Sequence, residues 1–278
     1  MVGKPRVGVS LYSYGADIMT RRMTIKECIE HAASLGVEGI EIVDNRHLSN
    51  YPYHSVYDLL EMRDYIESFG MKVSCYSVYL SEHVTGIGIT LEDCVRYFRK
   101  LIPETTILGA KIIRGLPMPQ RNLGMLDSSW QIDMIKRMWP YVLPDLKKYD
   151  VIWGVEVHAP MRTEDLIKLA KEINSEYFGL VPDFSVWQTK GLAGVVGAAP
   201  VELLRECMPY TVHVHAKAHF FDERGEEPNT PYDKLIPIIK EAGFSGYISA
   251  EFEGWRLGDF SDSRKIVETH VNLIRKYL

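Results

Sequence analysis

Residues 151–185 read VIWGVEVHAPMRTEDLIKLAKEINSEYFGLVPDFS and contain one whole structural repeat. VIWGVEVH predicts a strand, TEDLIKLAKEINSE an amphipathic helix and FGLVPDFS a second strand. Strand, helix and strand in succession form a βαβ unit, which makes the two strands parallel. The same alternation extends to both ends of the chain. Toward the N-terminus it predicts strands in RVGVSLYS (Arg6 to Ser13), GIEIVD (Gly39 to Asp44), KVSCYSVYL and AKIIRGLP. Among the helices between them, TIKECIEHAASLG places Ile25, Cys28, Ile29, Ala32 and Ala33 on one face and ends at Gly36. SVYDLLEMRDYIESFG closes on Gly70, and TLEDCVRYFRKLIPETTILG starts from Thr90 as its N-cap. WQIDMIKRMWPYVLPDLKKYD is a long helix in which Pro140 and Pro144 predict a kink or break. Toward the C-terminus, APVELLRECMP, YDKLIPIIKEAG and SRKIVETHVNLIRKYL are helices, separated by the strands YTVHVHAKA and GYISAEFEG. Eight strand–helix pairs result with none left over, which predicts a single closed (β/α)8 TIM barrel over residues 1–278.

The competing arrangement, a doubly wound sheet, carries G-x-G-x-x-G after its first strand, whereas here that strand runs into LYSYGADI. GIGIT near residue 86 and GLAGVVG near residue 191 lack dinucleotide spacing and read as loops. At 46% hydrophobic and 25% charged residues, the chain is too apolar for disorder and too mixed for a coiled coil. A net charge of −5 supplies no electrostatic footprint for nucleic acid or an anionic membrane, so neither partner is expected. Cys28, Cys75, Cys94 and Cys207 form no C-x-x-C pair, which fits a reducing, cytoplasmic setting. MVGKPRVGVSLYSYG has no apolar run of signal-peptide length, and no stretch of 18 apolar residues offers a membrane span.

In a barrel of this kind the reactive groups stand at the C-terminal ends of the strands. Strand five ends in GVEVH with Glu156 and His158, and strand six in VPDFS with Asp183. Strand seven ends in VHVHAKAH with His213, His215, Lys217 and His219, and strand eight in SAEFEG with Glu251 and Glu253. Successive steps from Glu156 to Asp183, His215 and Glu251 are 27, 32 and 36 residues, each close to one βα repeat. Four neighbouring strands therefore deliver metal-competent side chains to one rim. Carboxylates with one imidazole suit Mn²⁺, Co²⁺, Mg²⁺ or Zn²⁺, and the absence of thiolates disfavours a structural zinc site. Glu41 and Arg114 point to the same rim by strand parity, while Tyr12, Tyr79, Phe184, Trp187 and Trp255 are candidates for its wall.

From VGVSLYSYG and GVEGIEIVD through GVEVH, PDFS, VHVHAK and GYISAEFEG, the chain resembles the xylose-isomerase-like sugar isomerase/epimerase superfamily. That resemblance implies a divalent ion, commonly manganese, held by Glu156, Asp183, His215 and Glu251. His215 is preferred to His213 because His215-Ala216-Lys217 matches the His-x-Lys pattern of strand seven, which leaves His213 a layer deeper to orient it. Ketose 3-epimerases of the superfamily carry a histidine three residues after the strand-six Asp, where this chain has Val186 followed by Trp187. Glu156-x-His158 resembles instead the large subunits of C-glycoside deglycosidases, which eliminate an aglycone from a 3-keto sugar. Endonuclease IV, a related barrel, needs more zinc ligands than this chain offers.

The common chemistry is removal of a proton from carbon beside a carbonyl, in a sugar or glycoside substrate. Isomerisation or epimerisation is the first reading, with Glu156 and Glu251 as bases on opposite faces. The alternative is a lyase in which His158 is the base, and a non-catalytic sugar-binding barrel is the third. Lys217, Trp187 and Arg114 are the expected substrate-binding residues. Expected protein partners are a second copy of the chain or, for a deglycosidase, a small β-rich subunit.

Overall fold

A computed structural model describes residues 3–79, 90–116, 129–159, 161–185 and 198–278. Eight strands run β1 Arg6–Ser10, β2 Gly39–Val43, β3 Lys72–Tyr79, β4 Ile112–Leu116, β5 Ile152–Val157, β6 Phe178–Pro182, β7 Val214–Ala218 and β8 Tyr247–Phe252. They hydrogen-bond in the order β6-β5-β4-β3-β2-β1-β8-β7, and every pairing is parallel. Isolated parallel bridges between Leu180 and Thr211 and between Asp183 and His215 join β6 to β7 and close the ring. The chain therefore folds as a (β/α)8 barrel.

The principal helices are α1 Ile25–Ser34, α2 Val56–Ser68, α3 Leu91–Ile107, α4 Ser129–Tyr149, α5 Thr163–Ile173, α6 Val201–Cys207, α7 Tyr232–Glu241 and α8 Ser263–Tyr277. Three begin with a reciprocal capping box, Thr24 with Glu27, Ser55 with Asp58 and Thr90 with Asp93. In each, the N-cap hydroxyl accepts from the backbone of the third helical residue, whose carboxylate accepts from the N-cap amide. Two expectations change. The first strand stops at Ser10, and Leu11–Tyr14 form a 3₁₀ turn leading into a short helix, Gly15–Met19. The hydroxyl of Ser13 donates to the carbonyl of Ala250 at 3.0 Å and accepts from the amide of Phe252 at 2.9 Å. A side chain thus occupies backbone groups of β8 that a continued strand would have used. A second short helix, Asp44–His47, follows β2 directly.

Of the kink or break expected in α4, the break does not occur, because the helix runs through Pro140 and Pro144 without ending. Ile135, Met138, Val142 and Leu146 form its fully buried stripe, while both prolines lie on the solvent side. Carbonyls that lose a helical partner there meet water, so neither proline breaks the helix.

Two buried histidines give stability a pH dependence. His47 accepts a hydrogen bond from the amide of Val43 through Nδ1 at 2.9 Å, and His270 pairs with the hydroxyl of Tyr232 at 2.8 Å. Burial lowers both to about 3. Their native pKa lies below the unfolded value near 6.5, so this stability is complete above that pH and is lost as pH falls toward 3. At pH 5 the loss is expected to reach up to about 2 kcal/mol for each histidine. Denaturant titrations at pH 7 and pH 5 check this, with His270→Gln expected to flatten the dependence.

A candidate metal centre at the barrel mouth

Register and parity bring the polar residues together. Ser10 pairs with Glu41 across β1 and β2, Lys217 with Glu251 across β7 and β8, and the Asp183–His215 bridge aligns β6 with β7. Alternate residues of neighbouring strands share a face. Glu156, Asp183, His215 and Glu251 consequently converge inside the mouth, each offering a ligand atom within 4.8 Å of the others. All four are buried. The sequence-derived quartet is thus one cluster in space.

The pattern of contacts fits a divalent cation. Nδ1 of His215 lies 2.7 Å from Glu156 Oε1 and 2.8 Å from Glu251 Oε2, yet one ring nitrogen can satisfy only one carboxylate with a proton. A cation shared by that nitrogen and the carboxylates, including Asp183, would satisfy the whole set. On the other side of the ring, Nε2 meets Glu41 Oε1 at 3.0 Å. A carboxylate on the far nitrogen fixes the imidazole's orientation and leaves Nδ1 toward the cluster. Glu41 also accepts from Ser77 Oγ at 2.5 Å and faces His213 Nε2 at 3.3 Å. Burial opposes its charge, but His215 and His213 outweigh that and hold Glu41 well below the usual carboxylate range. His213 is also 3.0 Å from Ser249 Oγ, so it orients His215 through Glu41 from the deeper layer.

Cations brace the carboxylates from behind. Arg114 Nη2 lies 2.9 Å from Glu156 Oε2, so this residue, expected among the substrate-binding groups, contacts the cluster itself. Lys217 Nζ is 2.8 Å from Asp183 Oδ2, 3.6 Å from Glu251 Oε1 and 3.0 Å from Glu253 Oε2. Burial and the charges of Glu156 and Glu251 push Asp183 up, with Lys217 opposing them. Lys217 is fixed through its backbone by the Tyr232 hydroxyl, which donates to its carbonyl oxygen at 2.9 Å. The two carboxylates that the sequence left without a role are Glu41 and Glu253. A carboxylate in the otherwise apolar, fully buried strand GIEIV was the available signal for Glu41.

His158 stands one residue beyond the Val157–Pro182 pair, in register with Asp183. Its Nδ1 lies 2.5 Å from the carbonyl oxygen of Ala159. A carbonyl only accepts, so Nδ1 donates there, and Nε2 is the ring nitrogen without a hydrogen bond among the described residues. Tyr12 packs edge-on against Trp255 with ring centroids 5.0 Å apart, and the Arg46 guanidinium lies over both rings. Tyr12 and Trp255 belong to a small packed cluster with Ala16, Val43, Ala218 and Phe252. Phe184, another expected wall residue, packs against Tyr232 in the core. Val186, Trp187, GIGIT up to Ile89 and the GLAGVVG stretch lie outside the described residues, as does the Tyr79 side chain.

A sequence model of the xylose isomerase-like TIM barrel matches residues 29–277, and the chain belongs to that family. Among curated proteins it is similar to the 3'-dehydrocarminate deglycosidase alpha subunit of a Microbacterium species, 22% identical over 345 residues that cover 98% of this chain and 95% of that protein. It is also similar to a C-glycoside deglycosidase alpha subunit of Arthrobacter globiformis, 24% identical with 96% and 89% covered. Among solved structures, D-psicose 3-epimerase from Clostridium cellulolyticum H10 superposes with a TM-score of 0.74 at 12% identity, covering 98% of this chain and 99% of that one. The IOLI protein with a bound zinc atom superposes at 0.69 and 18% identity, with 98% and 99% covered. At such identities the superpositions establish the shared fold.

Proposed function

We propose that this chain is a divalent-metal-dependent carbohydrate enzyme that removes a proton from carbon beside a carbonyl and eliminates an aglycone from a 3-keto-glycoside. The buried quartet of Glu156, Asp183, His215 and Glu251 carries the metal part of this reading. Those four residues would hold a divalent ion, with manganese as our choice, whose Lewis acidity would polarise the carbonyl and stabilise charge on its oxygen. The protein's own groups then divide the work. Glu41 and His213 hold the His215 ring, Arg114 holds Glu156, and Lys217 ties Asp183 to Glu251 and Glu253. His158 takes the proton on Nε2.

One observation favours elimination over epimerisation. Epimerisation needs a base on each face of the substrate carbon, and the sequence points to Glu156 and Glu251 for those roles. Here Glu156 and Glu251 both belong to the proposed ligand set and are braced by Arg114 and Lys217, which commits their oxygens. His158 Nε2 has no hydrogen-bond partner among the described residues, which leaves one well-placed base. One base suffices for elimination. The curated relatives are named as alpha subunits of deglycosidases, and a partner subunit for this chain is part of the same proposal.

Incubation of the manganese-loaded protein in deuterium oxide separates the readings. Aglycone release from 3-keto-glycosides, with free ketoses unchanged, is the expected result. Epimerised ketose carrying solvent deuterium, without aglycone release, would replace elimination by epimerisation.

A further inference from the structure

We propose that His219 hands a proton to the departing aglycone, with Glu253 as the positioning residue behind it. This inference rests on the elimination reading above and adds the second half of its proton traffic. His219 follows β7 directly, and His158 follows β5. The strand between them in the barrel, β6, leads into Asp183, so the two imidazoles flank the cluster.

Glu253 gathers donors from three parts of the chain. Its Oε1 accepts from the Tyr12 hydroxyl at 3.2 Å and from Arg256 Nη1 at 3.1 Å. Its Oε2 lies 3.0 Å from Lys217 Nζ and 3.7 Å from His219 Nε2. Since Lys217 also reaches Asp183 at 2.8 Å, a single carboxylate and one ammonium separate His219 from the cluster. The placement is built into the backbone as well. The Glu253 amide donates to the Ala218 carbonyl at 2.9 Å, and a Cβ on Gly254 would stand 2.3 Å from the His219 carbonyl oxygen. Only glycine allows the β8 loop to pass so close to the β7 loop. A carboxylate behind an imidazole fixes its direction. With Nε2 toward Glu253, Nδ1 is the donor. The His219 side chain keeps 13% of its surface exposed, whereas the quartet beneath it is closed off.

The step balances without any oxidant or reductant. His158 Nε2 takes the proton beside the carbonyl, and the C–H electron pair becomes the new carbon–carbon double bond. The bond to the aglycone breaks with its electron pair leaving on the aglycone, which takes the proton from His219. The products are an unsaturated keto sugar and the protonated aglycone.

Leaving-group acidity tests this, because an acidic aglycone departs without a proton donor and a weakly acidic one does not. The probes are 3-keto-glucosides of 4-nitrophenol and 4-methoxyphenol with manganese-loaded wild-type, His219→Asn and Glu253→Gln proteins. His219→Asn is expected to slow methoxyphenol release about 100-fold or more and nitrophenol release only a few-fold. Deuterium exchange beside the carbonyl in recovered substrate should persist, with metal content unchanged. Glu253→Gln should show the same pattern with a smaller loss. Equal losses for both phenols, or no loss for either, overturn the role of His219. A wild-type protein that releases neither phenol overturns the elimination reading itself, and this inference with it.

Discussion

Glu156→Gln is expected to lose both its metal and a large part of its stability. The substitution removes one of the converging carboxylates, so turnover should fall at least about a thousandfold and metal content should drop. It also strips Arg114, only 2% exposed, of the carboxylate 2.9 Å from its Nη2. Neutralising one member of a buried ion pair destabilises by up to about 3–5 kcal/mol. A fall in melting temperature on the order of 5–15 °C should follow, measured with metal chelated so that both proteins are compared as apoproteins. Glu251→Gln separates the two effects, because Lys217 keeps Asp183 and Glu253 when Glu251 is neutralised. That variant should lose metal comparably and stability less. Adding Arg114→Met to Glu156→Gln should restore stability without restoring metal. A Glu156→Gln protein with wild-type metal content would remove Glu156 from the ligand set.

His158→Ala is the counterpart, expected to keep the metal and lose the proton transfer. His158 is outside the quartet, and its ring hydrogen-bonds to the carbonyl of its own neighbour, Ala159. Removing a positioned base lowers a proton-transfer rate by about 10²–10⁴-fold. Solvent-deuterium exchange at the carbon beside the carbonyl should fall by that factor, with metal content equal to wild type. Exchange that continues at the wild-type rate would place the base elsewhere in the mouth.

Most of the barrel is legible in sequence because a βα repeat writes itself twice, as alternation of element type and as polar residues at each strand's end. The misread segments depend on partners distant in the chain. VSLYSY looks like a continuing strand until Ser13 is seen to cap the backbone of β8, 237 residues away at Ala250. Pro140 and Pro144 look disruptive until the buried stripe of α4 is seen to avoid them. At the site, the quartet is legible because the βα repeat delivers one member from each of four successive strands. The support around it is harder to read. Whether Glu41 meets His215 depends on the stagger of β2 against β7 across the barrel, and Arg114 meets Glu156 only because β4 and β5 are neighbours. Local pattern carries neither relation.

The joint between β6 and β7 gives the site a mechanical side. Seven junctions of the ring are parallel ladders, but this one is held, among the described residues, by two isolated bridges. One of those bridges is Asp183 to His215, so half of the quartet sits on each lip of the gap. An ion held by the quartet would therefore act as a rivet through the thinnest weld of the cylinder. Loading such a centre and shutting the wall would then be one thermodynamic event, and breathing of the protein without the ion should start along that line.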